Sequence, residues 1–235
     1  MTRRVAAAMP AFQVEAFVAD VVRRTLAVLP DLLVIDDGSS DHTGDVARSA
    51  GAEVITMPHN LGKGAALRVA FREIFRRGYE AVVTLDADGQ HLPEEIPKLL
   101  RGWDEGGDLV LGTREHLYSQ MGRLRRTSNR LSSRAISIVA GTRLKDVQTG
   151  FRLYTRALIA ATGFPEARFE AETAVVVRAV RRGFPIITVP IDLGYADGLK
   201  TSHYRPILDS LRIAGAVARA RLERIPPSRE PWWLS

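Results

Sequence analysis

Over residues 1–113 short apolar runs alternate with longer stretches in which apolar residues return at helical spacing, the sign of a parallel sheet with crossover helices. The pattern predicts strands at Val5–Ala8, Leu32–Ile35, Glu53–Met57, Ala81–Leu85 and Leu109–Leu111. Helices fall between them, at Glu15–Leu29, Thr43–Ala50, Lys63–Arg77 and Pro93–Trp103. Ser40 and Asp41 are capping candidates for the second, Gly78 ends the third, and Pro93 suits the first turn of the fourth. After residue 114 the strict alternation stops. An arginine-rich helical stretch, Gly122–Ala140, leads into Asp146-Val-Gln-Thr-Gly-Phe-Arg152. A helix at Glu170–Arg182, strands near Ile186–Val189 and Asp192–Tyr195, and a last helix from Pro206 to Arg224 complete the map. No internal repeat or linker interrupts it, so one α/β domain over 1–225 is expected, with 226–235 as a tail.

Composition narrows the class. With 235 residues, 46% hydrophobic and 26% charged, the chain can bury a single core, and collagenous, low-complexity and acidic solvating classes are excluded. The absence of cysteine removes disulfides, zinc ribbons and thiol nucleophiles, leaving oxygen ligands and five histidines for any metal. A surplus of 33 Lys and Arg over 27 Asp and Glu, net +6, suits anionic partners: phosphates, nucleic acid or a membrane surface. No apolar stretch approaches the roughly 20 residues needed to cross a bilayer, so no span is expected. Arg3-Arg4 before Val5–Pro10 imitates a signal peptide, but Pro10, Gln13, Glu15 and Asp20 break the apolar region, and a first strand is read there.

Candidate chemistry lies at strand ends, where open α/β sheets bind ligands. The second strand ends in Asp36-Asp-Gly-Ser-Ser-Asp41, a loop suited to a ribose or base, or to capping the next helix. The fourth ends in Leu85-Asp-Ala-Asp-Gly-Gln-His91. Residues two apart on an extended chain share a side, so Asp86, Asp88 and Gln90 can present oxygens to Mg²⁺ or Mn²⁺; the plain alternative is a solvated turn. Asn60-Leu-Gly-Lys-Gly-Ala-Ala-Leu67 sets two glycines and Lys63 at a helix start, where an anion can dock, unless this is simply a glycine-containing helix start. It is neither a Walker A loop nor a dinucleotide fingerprint. Arg114, Arg123, Arg125, Arg126, Arg130 and Arg134 crowd 114–134 with Glu115 as the lone acid, and four-residue spacing puts Arg126, Arg130 and Arg134 on one helix face, as a phosphate would require. His42, His59, His91 and His116 lack metal-ligand spacing and read as loop residues.

Taken together these segments resemble the family 2 glycosyltransferases, most nearly the polyprenyl-phosphate sugar transferases similar to dolichyl-phosphate mannose and glucose synthases. The resemblance runs through Pro10-Ala-Phe-Gln-Val-Glu15, Asp36–Asp41, Asn60–Gly64, Leu85–His91, Gly112-Thr-Arg114, Asn129-Arg130, Asp146–Arg152 and Phe169-Glu-Ala-Glu172, over residues 6–212. It implies a GT-A type fold, doubly wound and mostly parallel, with a nucleotide-sugar half (1–113) and an acceptor half (114–225). By the same resemblance Pro10, Phe12, Glu15 and Asp37 would line the nucleoside pocket, with Lys63 facing it. Asp86, Asp88 and Gln90 would hold the divalent ion against a GDP- or UDP-sugar. Arg114, Arg130 and Ser133, with Lys200 in a basic loop, would take the acceptor's phosphate; Asp146, Thr149 and Glu172 would fall around the sugar. Gln13 stands where the family often has Asn.

The implied reaction is inverting transfer to a polyprenyl phosphate. That phosphate is already anionic and needs no general base, so catalysis would be positioning and charge stabilisation by Asp88, Arg114 and Arg130. A hydroxyl acceptor would instead ask Asp146 or Glu172 for a base. The implied location is the cytoplasmic face of a membrane, as a peripheral protein without a nucleic-acid partner. The last helix, with Arg219, Arg221, Arg224 and Trp232-Trp233 beyond it, could rest on an anionic bilayer or pack on the domain. A non-catalytic polyanion-binding module is the rival from another class; it would bind with steep salt dependence and ignore metal.

Overall fold

The computed structural model describes residues 3–114, 149–194, 206–223 and 232–234. The predicted helix Gly122–Ala140 lies outside them. In chain order the elements are β1 (Val5–Ala11), α1 (Glu15–Val28), β2 (Leu32–Asp36), α2 (Thr43–Ser49), β3 (Glu53–Thr56), α3 (Lys63–Arg76), β4 (Ala81–Thr84), a 3₁₀ turn (Pro93–Glu95) running into α4 (Ile96–Asp104), and β5 (Leu109–Thr113). Then follow β6 (Arg152–Thr155), α5 (Arg156–Thr162), α6 (Glu170–Arg181), β7 (Ile186–Pro190), α7 (Pro206–Leu222) and a 3₁₀ turn at Trp232–Leu234.

Seven strands form one sheet in the order β3-β2-β1-β4-β6-β5-β7. Only β6 runs against its neighbours; β1–β2, β1–β4, β2–β3 and β5–β7 are parallel. Alternating side chains feed two cores, as a doubly covered sheet requires. From β1, Ala6 and Ala8 join Phe71, Phe75, Tyr154 and Val175 on one face, while Ala7 and Met9 join Val18, Val22, Val34 and Leu99 on the other. Helix α1 reaches its core through Val18, Val21 and Val22, an i, i+3, i+4 stripe.

Four segments depart from expectation. Strand β6 and helix α5 were not foreseen, because Arg152 and Thr155 break the apolar run that marks an interior strand. Arg152 is tolerated at 1% exposure because its guanidinium donates to the carbonyls of Thr149 (2.6 Å) and Glu172. At Asp192–Tyr195 no strand forms among the described residues. Leu193 makes a single bridge to His91, and Gly194 donates to the carbonyl of Gln90 (3.0 Å), so this segment seats the 85–91 loop instead of extending the sheet. Strand β1 extends through Pro10 to Ala11; its β4 register ends at Ala8, so the missing N–H of Pro10 breaks no β4 pair.

Candidate active site

Because β1, β2, β4 and β5 are parallel, their carboxyl ends share one edge, and antiparallel β6 delivers its first residues there too. The loops after β1 and β2 are knitted together. Gln13 donates its backbone N–H to Ser39 Oγ (3.0 Å) and its Nε2 to Ser40 Oγ (2.9 Å), while the Glu15 carboxylate accepts from His42 N (2.9 Å). Neither capping candidate occupies the cap of α2, which is His42 without a side-chain cap; Asp41 accepts from Thr43 N and Oγ1 one residue ahead of it, and Ser40 is engaged by Gln13. Gln13 has φ +53°, a left-handed conformation that asparagine adopts more readily. Pro10 and Phe12 sit half-buried at the end of β1.

Asp37 is 3% exposed, and its two carboxylate oxygens accept from the backbone N–H groups of Leu61 and Gly62, both at 2.8 Å. Burial raises its pKa, and those two hydrogen bonds oppose the rise. Asp37 thus ties the β2 loop to the start of α3. A phosphate dock at that helix start is one of the two sequence readings, and three of the N–H groups there are engaged within the chain. Leu61 and Gly62 give their N–H groups to Asp37, and Ala65 gives its own to the carbonyl of Ala167 (2.9 Å). The glycines serve close packing: a Cβ on Gly62 would lie 2.7 Å from Ala167 O, and one on Gly64 2.6 Å from Glu166 O.

Lys63 extends from this start into the site. Its Nζ lies 2.6 Å from Asp86 Oδ1 and 3.1 Å from Glu172 Oε2. Its side chain and that of Glu172 are 13% and 8% exposed, whereas Asp86 remains 32% exposed and opens outward. Burial by itself would discharge Lys63, but Asp86 and Glu172 outweigh it and hold the ammonium above its ordinary pKa. Burial likewise works against the Asp86 carboxylate, and Lys63, His91 and Arg114 together hold it below the usual range. Gly150 is what makes room, since a Cβ there would sit 2.5 Å from Lys63 Nζ and 2.9 Å from Asp86 Oδ2. Thr84 Oγ1 fixes it by donating to the Gly150 carbonyl (2.9 Å).

His91 is on a loop, as read, yet it is 3% exposed and stacks on Phe151 at 5.3 Å. Its Nδ1 accepts from the backbone N–H of Asp86 (2.9 Å), so the neutral ring carries its proton on Nε2. Burial holds its pKa below the ordinary value, against the pull of Asp86. Asp88 turns to Gln90, accepting from its N (3.0 Å) and Nε2 (2.9 Å). Among the described residues no three His, Asp or Glu side chains converge as a closed metal cage. The donor set still fits a hard ion in its chemistry: two carboxylates two residues apart, with Asp86 held ionised and partly open.

Arg114, at the end of β5, acts electrostatically on both Asp86 and His91. Thr149 is fully buried, its hydroxyl accepting from Phe151 N (3.2 Å). Arg130, Ser133, Asp146 and Lys200 lie outside the described residues. Sequence reasoning missed the parts played by His91, Gly150 and Arg152. Gly150 carried a usable signal, a lone glycine before a β-rich run, which marks close approach. The other two acquire their roles in part from partners distant in the chain, Phe151 for His91 and Glu172 for Arg152.

Residues 7–163 match the family model described as glycosyl transferase family 2. A glycosyltransferase of Haloferax volcanii is 33% identical over 190 residues, covering 80% of this chain, which spans 60% of that protein's length. The polyprenol monophosphomannose synthase of Mycolicibacterium smegmatis is 30% identical over 249 residues, covering 95% of this chain and 90% of that protein. Among solved structures, glucosyl-3-phosphoglycerate synthase from Mycobacterium tuberculosis, in complex with Mn²⁺, UDP and phosphoglyceric acid, superposes with a TM-score of 0.73 at 21% identity, covering 97% of this chain and 81% of that one. The mostly parallel sheet is accordingly of GT-A type. With the acidic strand ends on one edge and a family match running from β1 through α5, the chain belongs to glycosyl transferase family 2.

Proposed function

We propose that this glycosyltransferase moves a sugar from a GDP- or UDP-sugar to a polyprenyl phosphate, with inversion at the anomeric carbon. The observation that carries the donor half is the ionised, partly open Asp86 beside Asp88 at the end of β4, on the same sheet edge as the Asp37 loop with β1 between them. The acceptor half is supported by the likeness, over nearly the full chain, to a protein named for polyprenol monophosphomannose synthesis.

In this reading Pro10, Phe12, Glu15 and Asp37 border the nucleoside, and Asp86, Asp88 and Gln90 hold Mg²⁺ or Mn²⁺. The ion, when bound, supplies positive charge to the diphosphate leaving group. Lys63 keeps Asp86 ionised and oriented. Arg114 and Arg130, with Ser133 and Lys200, neutralise and aim the acceptor phosphate, whose oxygen attacks the anomeric carbon in one displacement. No side chain need remove a proton. The site would work peripherally at the cytoplasmic face of a membrane; among the described residues no helix is long and apolar enough to cross one.

One observation favours a second acceptor class. Glu172 Oε1 is buried and has no hydrogen-bond partner among the described residues, and such an oxygen could serve as base for a soluble hydroxyl acceptor. Labelled GDP- and UDP-sugars, incubated with Mg²⁺ or Mn²⁺ and either a short polyprenyl phosphate or the free alcohol, separate the two. Metal-dependent labelling of the phosphate alone is expected. Labelling of the alcohol, or donor hydrolysis without lipid product, overturns the acceptor assignment.

A further inference from the structure

We propose that Lys63 is a resident counter-ion that occupies Asp86 until the donor arrives, so that the divalent ion binds together with the nucleotide-sugar rather than ahead of it. The inference rests on the metal reading above and concerns what this chain's own cation does to it.

Lys63 has two seats and a fixed base. Its ammonium spans Asp86 (2.6 Å) and Glu172 (3.1 Å), from the starts of two different helices and the end of β4. The backbone beneath it is pinned on both sides, by Asp37 through Leu61 and Gly62, and by the Ala167 carbonyl through Ala65. Two carboxylates that share one ammonium depend on it, because Glu172 is enclosed and cannot be solvated, and the partly open Asp86 faces it across the same cation. An incoming divalent ion must therefore contend with a cation already on Asp86. Glu172 provides the alternative seat. Its Oε2 already takes Lys63, and its buried Oε1 has no hydrogen-bond partner among the described residues, leaving an acceptor in reserve for an ammonium that has let go of Asp86. The negative charge of the donor's diphosphate tips the exchange by attracting both cations, which couples ion and donor binding.

The test is Mn²⁺ titration followed by the EPR signal of the free ion, at constant pH, with and without UDP or GDP. Without nucleotide, Lys63→Met should bind Mn²⁺ at least about tenfold more tightly than wild type, since an adjacent charge is removed. Glu172→Gln should bind it more weakly, because Lys63 then has only Asp86. The gain in Mn²⁺ affinity brought by UDP or GDP in wild type should shrink in Lys63→Met. General destabilisation would move both variants the same way, so opposite signs are the diagnostic. Unchanged or weaker Mn²⁺ binding by Lys63→Met overturns the proposal while leaving the metal site intact. Should that variant fail to fold by circular dichroism, unchanged or tighter binding by Glu172→Gln overturns it equally. Absence of Mn²⁺ binding by wild type even with nucleotide overturns the metal reading itself, and this inference with it.

Discussion

At Asp88, exchanging one carboxylate oxygen for an amide nitrogen separates charge from shape. Asn can still accept from Gln90 N, so the turn that Asp88 closes is preserved. Asp88→Asn is expected to abolish metal-dependent donor binding while changing stability by no more than about 0.5 kcal/mol, the range of surface substitutions. Calorimetric titration of UDP and GDP with Mn²⁺, beside a urea melt, checks both halves; retained turnover would sink the metal assignment. The same scale shows where reading residues in order runs out. Asp86 and Asp88 were legible because a two-residue period on an extended chain is local geometry. The enclosure of His91 was not, because it depends on Phe151, whose ring comes to it across the sheet edge.

Among elements, α6 carries charges that point inward. Arg178 is 4% exposed at its side chain, yet it forks to Glu166 on one side (2.9 and 2.5 Å) and to Glu223, just past α7, on the other (2.9 and 3.0 Å). Arg181 adds hydrogen bonds to the carbonyls of Ala220 and Glu223, satisfying the last turn of α7. These bonds clamp the loop that covers Gly62 and Gly64 to the carboxyl end of α7. Arg178→Met should cost about 3 kcal/mol or more, because Glu166 is left buried without its cation, and adding Glu166→Gln should recover much of that loss. Urea melts of the three variants measure it. The pair also sets a pH dependence. Hydrogen bonds from Arg178 hold the Glu223 carboxyl below its ordinary value near 4.5, so its stabilisation is present above that pH and is lost as pH falls through the lower, folded value. Wild type should therefore lose stability over this acid range more steeply than Arg178→Met; equal slopes would show that the pair is not coupled to folding.

For the molecule as a whole, the C-terminal aromatics decide between two sequence readings. Trp233 is fully buried, packs on Phe75 at 5.0 Å, and accepts through its carbonyl from Arg76 Nε (2.6 Å). Its indole is part of the core beneath α3, not an anchor presented to a bilayer, and α7 likewise docks on α6. Trp233→Ala is expected to lower stability by about 3 kcal/mol or more. Flotation of the folded protein with anionic vesicles should match wild type; a selective loss of flotation at unchanged stability would restore the anchor reading.

The sequence by itself determined the alternation of strands and helices through residue 113, the two-sided burial of the sheet, and the gathering of acidic loops at one edge. Each follows from periodicities and strand-end rules that act within a few residues. Tertiary structure alone decided the rest. Arg152 is interior because the Thr149 and Glu172 carbonyls receive its guanidinium, and β6 is a strand because it pairs with β4 on one side and β5 on the other. The glycines flanking Lys63 make room for a loop a hundred residues downstream, a packing role that their own stretch of sequence does not display. Lys63 is charged and aimed because Asp86 and Glu172 converge on it from separate elements. Burial and charge pairing are properties of neighbours in space, and a chain read in order reveals neighbours only where folding keeps them close in sequence.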